Sequence, residues 1–343
     1  MAIRPFALQP LLSNVFEFDF QRDARITAAQ AFASDVYIGC SNGELLRFAL
    51  NADGPGSYTL LSRQTVVPGK AIDEIVLIPC QLRALIQSDA QLHFYTLPSL
   101  DAIPNNITRP IRHVVTFAVD QLQLQRPASH TVEPVDFCVV KRRAIALYTL
   151  RDRLYYHKEI PLPTGGQLAK RIGHSLCIAD SVHYNIIDLE QASLFPILPL
   201  SQAVDPTPFV VKPSITVVGD AEFLILSWTG ASTLGVFITG EGDPVRGTLE
   251  WPSHPESVCL DYPHVVSLLP NQTVEVHNIE TQSIVQVVGT PTEDTEESDN
   301  HGIVPERTAL VASIHGYLVP STQGSEKMQL TRVPLRRNTT RAA

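Results

Sequence analysis

The strongest constraint on the fold is a strand-and-turn pattern that recurs along the whole chain. Short runs of β-branched and aromatic residues, bounded by turn residues, recur throughout the 343 residues, whereas the apolar spacing of an amphipathic helix is scarce. Each unit is predicted to form one antiparallel sheet of meandering strands. The predicted turns lie at Asn42-Gly43, Ser88-Asp89-Ala90, Arg151-Asp152, Ala179-Asp180-Ser181, Thr229 to Ser232, Pro270-Asn271-Gln272 and, in a fainter seventh unit, Gln323-Gly324.

A single sheet of this kind cannot bury both of its faces, so neighbouring sheets must pack together. Radial packing gives an all-β fold, a β-propeller of antiparallel strands, and the number of units predicts about seven blades. The N-terminal segment NVFEFDF, residues 14–20, is expected to complete the last blade and close the ring. Two packed β-sandwich domains are the structural alternative, because the turns are unequally spaced and no W-D dipeptide is present.

The predicted propeller spans residues 1–335, and two segments depart from its pattern. Residues 290–302, TPTEDTEESDNHG, contain five acidic residues and no large apolar residue, so a mobile acidic surface loop is expected over 290–304. This loop is interpreted either as a docking or phosphorylation segment or as a solvated insertion between blades. Residues 336–343 lose the pattern and are expected to be the start of a linker or a truncated end.

The charge and the cysteine content restrict the functions and the cellular compartment that are compatible with this sequence. A net charge of -9 argues against a general nucleic-acid binder, because such a protein needs a basic field to displace counterions from phosphates. The five cysteines are widely spaced, lie in apolar runs and include no C-x-x-C pair, which predicts buried thiols in a reducing compartment. Neither a signal peptide nor an apolar run of about 18 residues is found, so a cytoplasmic location is expected.

One short motif raises the question of catalysis. Gly39-Cys40-Ser41-Asn42-Gly43 matches the G-x-S-x-G pattern that presents a serine nucleophile in α/β-hydrolases. That chemistry needs a helix after the serine, an oxyanion-hole loop before it and alternating β and α elements, and the chain lacks this order. The same residues are typical of a hairpin in which glycine supplies a positive φ. A hairpin is therefore predicted, and a serine hydrolase using Ser41 is kept as the enzymatic alternative.

The remaining polar residues show no catalytic or metal-binding pattern. The eleven histidines are scattered without H-E-x-x-H or H-x-H spacing, so no metal and no cofactor are predicted. Asp136 and Asp180 are interpreted as turn or rim residues. Residues 240–247, GEGDPVRG, lack the lysine and serine of a phosphate-binding loop. These observations favour a non-catalytic interaction domain.

Charge and predicted exposure indicate a set of partner-binding residues. The segment KRRAIALYTLRDR places two basic turns at opposite ends of one strand, about 25 to 30 Å apart at strand rise, so one continuous patch is not assured. An acidic protein or a phospholipid surface would be the partner; solubilising turn residues are the alternative. EWPSHP adds an aromatic residue followed by two prolines, as in an exposed recognition loop or a packing position between blades. The predicted residues are Lys141, Arg142, Arg143, Arg151, Arg153 and Trp251.

The order of several segments resembles a known family. DVYIGCSNGELLRF, EIVLIPCQLRALIQSDAQLHFYTLPSL, KRRAIALYTLRDRLYYHKEIPLP, SLCIADSVHYNIIDL and the run from DPVRGTLEW to SIVQVV are similar to the citron homology (CNH) domain of the TGF-beta receptor-associated protein family. Members of this family are vacuolar-sorting subunits of the CORVET tethering complex. A homologous HOPS subunit is the competing assignment, and FYTLPSL favours the CORVET type.

The resemblance implies a function that the residues alone do not give. It implies a non-catalytic propeller that helps a hetero-oligomeric tether to recognise an endosomal Rab GTPase and to dock membranes before fusion. The expected partners are a Rab of the endosomal pathway, other tether subunits and, peripherally, an endosomal or vacuolar membrane; nucleic acid is not expected. The family continues into an α-helical solenoid that this sequence lacks, so the chain resembles an isolated N-terminal domain.

Overall fold

The computed structural model describes most of the chain. The described residues are 9–12, 24–32, 35–50, 58–124, 126, 133–219, 221–289, 306–307, 311–313, 316–322 and 328–333. Side-chain surroundings are described for residue 12 and, within the ranges above, from residue 24 to residue 289. The expected acidic loop at 290–304, the segment at 336–343 and the turn at Gln323-Gly324 lie outside the described residues and stay predictions.

Six consecutive four-stranded antiparallel sheets form the body of the molecule. Blade 1 contains β2 (Ile26–Phe32), β3 (Asp35–Cys40), β4 (Glu44–Leu50) and β5 (Tyr58–Thr65). Blade 2 contains β6 (Ile72–Ile78), β7 (Arg83–Ser88), β8 (Gln91–Thr96) and β9 (Ile111–Arg112). Blade 3 contains β10 (Thr116–Val119), β11 (Val135–Val140), β12 (Ala144–Leu150) and β13 (Leu154–Pro161).

The next three blades repeat this order. Blade 4 contains β14 (Leu168–Ile172), β15 (Ser175–Ala179), β16 (His183–Asp188) and β17 (Ser193–Pro199). Blade 5 contains β18 (Ile215–Gly219), β19 (Glu222–Trp228), β20 (Thr233–Thr239) and β21 (Leu249–Trp251). Blade 6 contains β22 (Ser257–Asp261), β23 (His264–Leu268), β24 (Val274–Asn278) and β25 (Ser283–Val288). A 3₁₀ turn, Pro79–Gln81, follows β6, and a short helix, α1 (Gln121–Leu124), follows β10.

A further sheet brings the two ends of the chain together. In this closing sheet β1 (Gln9–Leu12) pairs with β29 (Met328–Val333), which pairs with β28 (Gly316–Thr322); β26 (Glu306–Arg307) and β27 (Val311–Ser313) pair with β28. Its strand β27 lies beside β2 of blade 1 and β22 of blade 6, so the closing sheet completes a ring. Residues 14–20, expected to close the ring, lie outside the described residues; Gln9–Leu12 forms the described pairing with the last strand.

The prediction of an all-β propeller is confirmed, and the β-sandwich alternative is wrong. The regular four-stranded blades number six, slightly fewer than the expected count of about seven, which is reached only when the five-stranded closing sheet is included. The predicted reversals within blades 1 to 6 all lie between paired strands. The sharpest is the turn of blade 2, where Ser88 pairs with Gln91 and the two residues between them, Asp89 and Ala90, both have positive φ.

Burial along the strands follows from their position in a blade. The second strands β3, β7 and β11 are buried along nearly their whole length, because neighbouring blades cover both of their faces. The fourth strands β5, β13 and β25 lie at the rim and are largely exposed. The core therefore lies in layers between blades: Phe94 of blade 2, for example, packs edge-on against Phe137 of blade 3, with the ring centroids 6.5 Å apart.

This topology defines two faces of the ring. The turns between the second and third strands of each blade lie on the same side as the connections from one blade to the next; we call this side the upper face. Backbone hydrogen bonds join the two kinds of segment, from Val114 to Ala90 in blade 2 and from Leu162 to Arg143 in blade 3. The turns between first and second strands and between third and fourth strands form the opposite side, the lower face.

Candidate interaction surfaces

The G-x-S-x-G segment forms a hairpin turn on the upper face of blade 1. Ser41 follows β3, Glu44 begins β4, and the two strands pair antiparallel with Gly39 opposite Leu45. The Ser41 Oγ accepts a hydrogen bond from the backbone N–H of Arg25 at 2.9 Å, and the Ser41 N–H donates to the Arg25 carbonyl at 2.8 Å. Both polar groups of Ser41 thus fasten the turn to the segment that leads into β2. A strand follows the serine where a hydrolase needs a helix, so the Ser41 hydrolase alternative is wrong.

Two features of the structure require a glycine at position 43. Its φ is +89°, and a Cβ atom there would lie 2.0 Å from the carbonyl oxygen of Val67. The connection from blade 1 to blade 2 crosses close to the turn, since the Gly69 N–H donates to the Asn42 carbonyl at 2.9 Å. The predicted hairpin and its glycine are confirmed, and the close approach of the connection adds a constraint on the same residue.

Two basic turns lie at opposite ends of β12, as the spacing predicted. Lys141, Arg142 and Arg143 form the turn between β11 and β12 on the upper face, whereas Arg151 and Arg153 lie in the turn between β12 and β13 on the lower face. The seven residues of β12 separate them by roughly 23 Å at strand rise. The two turns therefore cannot form one patch, and each needs its own interpretation.

The upper basic turn contains two unpaired arginines. Lys141 forms an ion pair with Glu159 of β13, and the hydrogen bond from its ammonium group raises the pKa of Lys141. Arg142 and Arg143 are exposed, and within the described part of the chain neither forms an ion pair. The turn is tightly built, because the Arg143 carbonyl accepts the N–H of Leu162 at 2.9 Å. Two arginine side chains are thus presented to solvent from a fixed backbone.

Sequence reasoning missed the residues beside this turn. Arg112 and His113 leave the last strand of blade 2 on the upper face and are both exposed. The following Val115 donates its N–H to the carbonyl of Val140, the last residue of β11, at 2.9 Å. The connection that follows Arg112 and His113 therefore meets the end of β11, where the Lys141 turn begins, although the two segments are far apart in sequence. We call Arg112, His113, Arg142 and Arg143 the upper basic patch.

The lower basic turn is associated with exposed aromatic residues. The Arg151 guanidinium lies over the Tyr155 ring, 6.0 Å from its centroid, and the Tyr155 hydroxyl donates to Asp152 at 3.3 Å. Tyr155 and the adjacent Tyr156 are 45% and 56% exposed on the rim strand β13. Arginine and tyrosine together are typical of the energetically dominant residues of protein interfaces. We call Arg151, Arg153 and Tyr155 the lower arginine–tyrosine site.

Trp251 does not belong to any surface, which corrects its assignment as a partner-binding residue. Its side chain is fully buried between blades 5 and 6. The indole N–H donates to the Ser267 Oγ at 2.7 Å, and the ring lies 4.9 Å from the His277 ring. A buried indole needs a hydrogen-bond partner, and Ser267 of blade 6 supplies it. The two prolines that follow Trp251 suggested an exposed loop, but the indole packs in the core between blades 5 and 6.

The isolated acidic residues are occupied by structural contacts. Asp180 accepts backbone N–H groups of Val182 and His183, both at 2.7 Å, in the turn between β15 and β16. Burial opposes ionisation of this carboxyl, but these hydrogen bonds outweigh it and lower the pKa of Asp180. Asp136 accepts hydrogen bonds from Thr149 and Gln123, and its pKa is also lowered, against the effect of burial. Asp180 is thus the turn residue that was expected.

A cavity of about 400 Å³ lies against the innermost strands β2 and β6. Lys170 of blade 4 reaches Glu74 of blade 2 at 3.0 Å on its wall, so these two charges neutralise each other. Asp73 also lines it, and burial, with contributions from Asp89 and Glu74, raises the pKa of this carboxyl. The ion pair spans blade 3 and therefore holds the inner strands of blades 2 and 4 at a fixed distance.

All five cysteines are buried and none is in a disulfide, as predicted. Burial raises the pKa of the Cys138 thiol to about 11, and the Cys138 Sγ–H contacts the Ala118 carbonyl oxygen at 3.5 Å. Among the described residues, no group of three His, Cys, Asp or Glu side chains is placed to hold a metal ion. In the same part of the chain, no helix is long and apolar enough to cross a membrane.

Solved structures with the same architecture define the class of this chain. It superposes on the CNH domain of AfRom2 with a TM-score of 0.62 and 17% identity, covering 96% of this chain and all of that one. The WD40 domain of Neurospora crassa Pan2 gives a TM-score of 0.63 at 9% identity, with 97% of each chain covered. At such identities the likeness shows the fold alone, which is a β-propeller.

The amino-acid sequence assigns the chain to a narrower group than the fold does. Residues 22–291 match the VPS3 N-terminal domain family, and the chain belongs to this family. It is 25% identical to vacuolar protein sorting-associated protein 3 of Saccharomyces cerevisiae and 22% identical to transforming growth factor-beta receptor-associated protein 1 of Bos taurus. These alignments cover 86% and 84% of the chain but only 28% and 33% of the two relatives. The predicted family is confirmed, and the family and fold together indicate a non-enzymatic scaffold domain.

Proposed function

We propose that this chain is the interaction propeller of a sorting tether of the endosome and vacuole, acting within a hetero-oligomeric complex of CORVET type. Membership in the VPS3 N-terminal domain family carries the proposal. The name of the yeast relative associates that protein with vacuolar protein sorting. The resemblance to TGF-beta receptor-associated proteins favours the CORVET type over a HOPS-type subunit. The domain would contact other subunits, an activated Rab GTPase of the endosomal pathway and, peripherally, the membrane on which it acts.

The lower arginine–tyrosine site is the surface that we assign to the GTPase. Arg151 and Arg153 are exposed, and Arg151 is held over the Tyr155 ring, so its orientation is partly fixed before binding. Tyr155 offers rigid, half-exposed aromatic surface beside the charges. Preorganised arginine and tyrosine side chains lose little freedom on association, which favours affinity. An acidic surface on the partner would complement this site.

Binding to a panel of purified Rab proteins tests the proposal. The 343-residue chain is incubated in solution, without lipid, with each Rab loaded with GTP or GDP, and the affinity is measured. We expect one endosomal Rab to bind preferentially in one nucleotide state. Arg151→Glu/Arg153→Glu should weaken this binding by at least about tenfold, because two favourable charges become repulsive.

Two comparisons make this result specific. Arg142→Glu/Arg143→Glu changes the same number of charges at the other end of β12 and should leave Rab affinity within about twofold. Preference for an early-endosomal Rab over a late-endosomal one would favour the CORVET type over the HOPS type. Absent or nucleotide-independent binding across the whole panel would contradict the proposed function.

A further inference from the structure

The connection from blade 4 to blade 5, residues 200–214, exposes apolar side chains on the upper face. Val204 is 100% exposed and Val210 is 83% exposed, and Val182 in the neighbouring turn of blade 4 is 53% exposed. The Leu200 N–H donates to the Val182 carbonyl at 2.7 Å, which joins the turn to the start of the connection. Single exposed apolar residues are ordinary, but three exposed valines on two adjoining segments of one face need an explanation.

The end of this connection that carries Val210 is held in place. The Phe209 ring packs edge-on against Trp228 at 5.4 Å and stacks on His254 at 6.4 Å. The His254 Nε2 donates to the Lys212 carbonyl at 2.8 Å. Val210 therefore lies between two anchored residues, Phe209 and Lys212, so its exposure follows from a fixed backbone. We call Val182, Val204 and Val210 the upper valine cluster.

The upper basic patch lies on the same face, in the two preceding blades. The inner strands of blades 3 and 4 lie side by side, as do those of blades 4 and 5, so the patch and the valine cluster are neighbours around the ring. The acidic groups between them are mostly occupied: Asp89 pairs with Lys70 at 3.3 Å, Glu159 pairs with Lys141, and Asp180 is bound by backbone N–H groups. Asp205 is the exception: it is exposed on the connection between blades 4 and 5.

We propose that this upper face binds directly to an anionic membrane surface. The arginines of the upper basic patch contact lipid phosphates, and the upper valine cluster enters the head-group layer. Each basic residue near an anionic leaflet contributes binding free energy, and buried apolar surface adds to it. The chain has a net charge of -9, so its overall field opposes such a surface and binding requires that this face be turned toward the lipid.

A lipid surface fits this face better than an acidic peptide. The segments that carry the basic patch are short, since three residues connect β9 to β10 and three connect β11 to β12. Short turns form a shallow surface, whereas the described cavity lies against the inner strands β2 and β6. Exposed valines on the same face as exposed arginines match a layer with charged head groups above hydrocarbon. The inference rests on the proposed function only for the presence of a membrane; it does not need the GTPase.

Co-sedimentation with vesicles tests the proposal. The 343-residue chain is mixed with vesicles of phosphatidylserine and phosphatidylcholine, and in parallel with vesicles of phosphatidylcholine alone. We expect binding to the anionic vesicles, weakening as salt is raised. Arg142→Glu/Arg143→Glu should lower the apparent affinity by at least about tenfold, and Val204→Asp/Val210→Asp by a similar factor.

Matched variants on the lower face are the control. Arg151→Glu/Arg153→Glu reverses the same number of charges at the other end of β12. Val245→Asp changes a valine that is 47% exposed in the connection between β20 and β21. Both should keep vesicle affinity within about twofold of the unchanged chain. Equal losses from upper-face and lower-face variants, or no loss from either, would overturn the proposal.

Two further outcomes separate this proposal from its competitors. If the chain ignores vesicles but binds a soluble polyglutamate peptide through Arg142 and Arg143, the upper face recognises an acidic protein and the membrane proposal is wrong. Rab binding in solution is measured on the same preparations. A chain that binds vesicles but no Rab retains this inference and loses the proposed function, and the reverse result has the opposite meaning.

Discussion

Two consecutive connections on the upper face, each rich in proline, differ in whether their side chains are exposed or buried. The connection from blade 4 to blade 5, residues 200–214, displays Val204 and Val210 to solvent. The connection from blade 5 to blade 6, residues 252–256, buries His254, which is 7% exposed, and it begins directly after the fully buried Trp251 at the end of β21. His254 of the second connection hydrogen-bonds to Lys212 of the first at 2.8 Å. The inward-facing connection thus acts as the support on which the outward-facing one is held.

The comparison shows that proline content alone does not determine exposure. Trp251 has a hydrogen-bond partner in the next blade, Ser267, at the depth of its indole N–H. Val210 lies on a connection with no described element above it. Where an inter-blade connection meets a complementary group in the next blade, its side chains become core; where it runs over the face, they stay exposed. Three predictions follow from this difference, in order of decreasing effect on stability.

Trp251→Ala should cause the largest loss of stability. The change removes a fully buried indole from the layer between blades 5 and 6 and leaves a cavity there, which costs about 3 to 5 kcal/mol. Urea denaturation followed by circular dichroism measures this loss. Trp251→Phe retains most of the packing but removes the donor to Ser267, so its loss should be smaller. A loss below about 1 kcal/mol for Trp251→Ala would show that this side chain does not join the two blades.

His254→Gln should have an intermediate effect that depends on pH. Burial lowers the pKa of His254, and the ring is neutral, donating from Nε2 to Lys212 and accepting at Nδ1 from Thr233 at 3.2 Å. Loss of these bonds should cost about 1 to 3 kcal/mol near neutral pH. Because the folded-state pKa lies below that of the unfolded chain, the neutral ring stabilises the fold above the unfolded pKa of about 6.5, and this contribution is lost as the pH falls.

The pH dependence is checked by denaturation midpoints between neutral and mildly acidic conditions. The unchanged chain should lose stability more steeply on acidification than His254→Gln, which has no titrating ring at this position. Thr233→Val is the control, because it removes one hydrogen bond but keeps the histidine and therefore the slope. Parallel pH profiles for the unchanged chain and His254→Gln would contradict the assignment of a neutral, buried ring.

The extent to which sequence could predict this structure differs between turns and surfaces. Turns are local: the glycine, asparagine and aspartate signals near Gly43, Asp89 and Asp180 specify the chain within a few residues, and their reversals were correctly predicted. The upper basic patch is not local, because the connection that follows Arg112 meets the end of β11 only after blade 2 is complete and packed on blade 3. Trp251 was misassigned for the same reason, since its partner Ser267 lies 16 residues away in another blade. The strand-and-turn pattern predicted the β-propeller and the family resemblance predicted the class of domain, but the resemblance indicated neither the upper nor the lower interaction surface.

Val210→Asp should have the smallest effect on stability, and this makes it the sharpest test of the comparison. The side chain is 83% exposed, so folding removes little of it from water, and the free energy of unfolding should change by less than about 0.5 kcal/mol. The neighbouring anchor is the control: Phe209→Ala removes a ring that packs on Trp228 and His254 and should destabilise the fold measurably. A large loss from Val210→Asp would mean that the connection folds inward in solution. A negligible loss would mean that an apolar side chain is maintained on this face without contributing to the fold, as expected of a residue whose contact lies outside the chain.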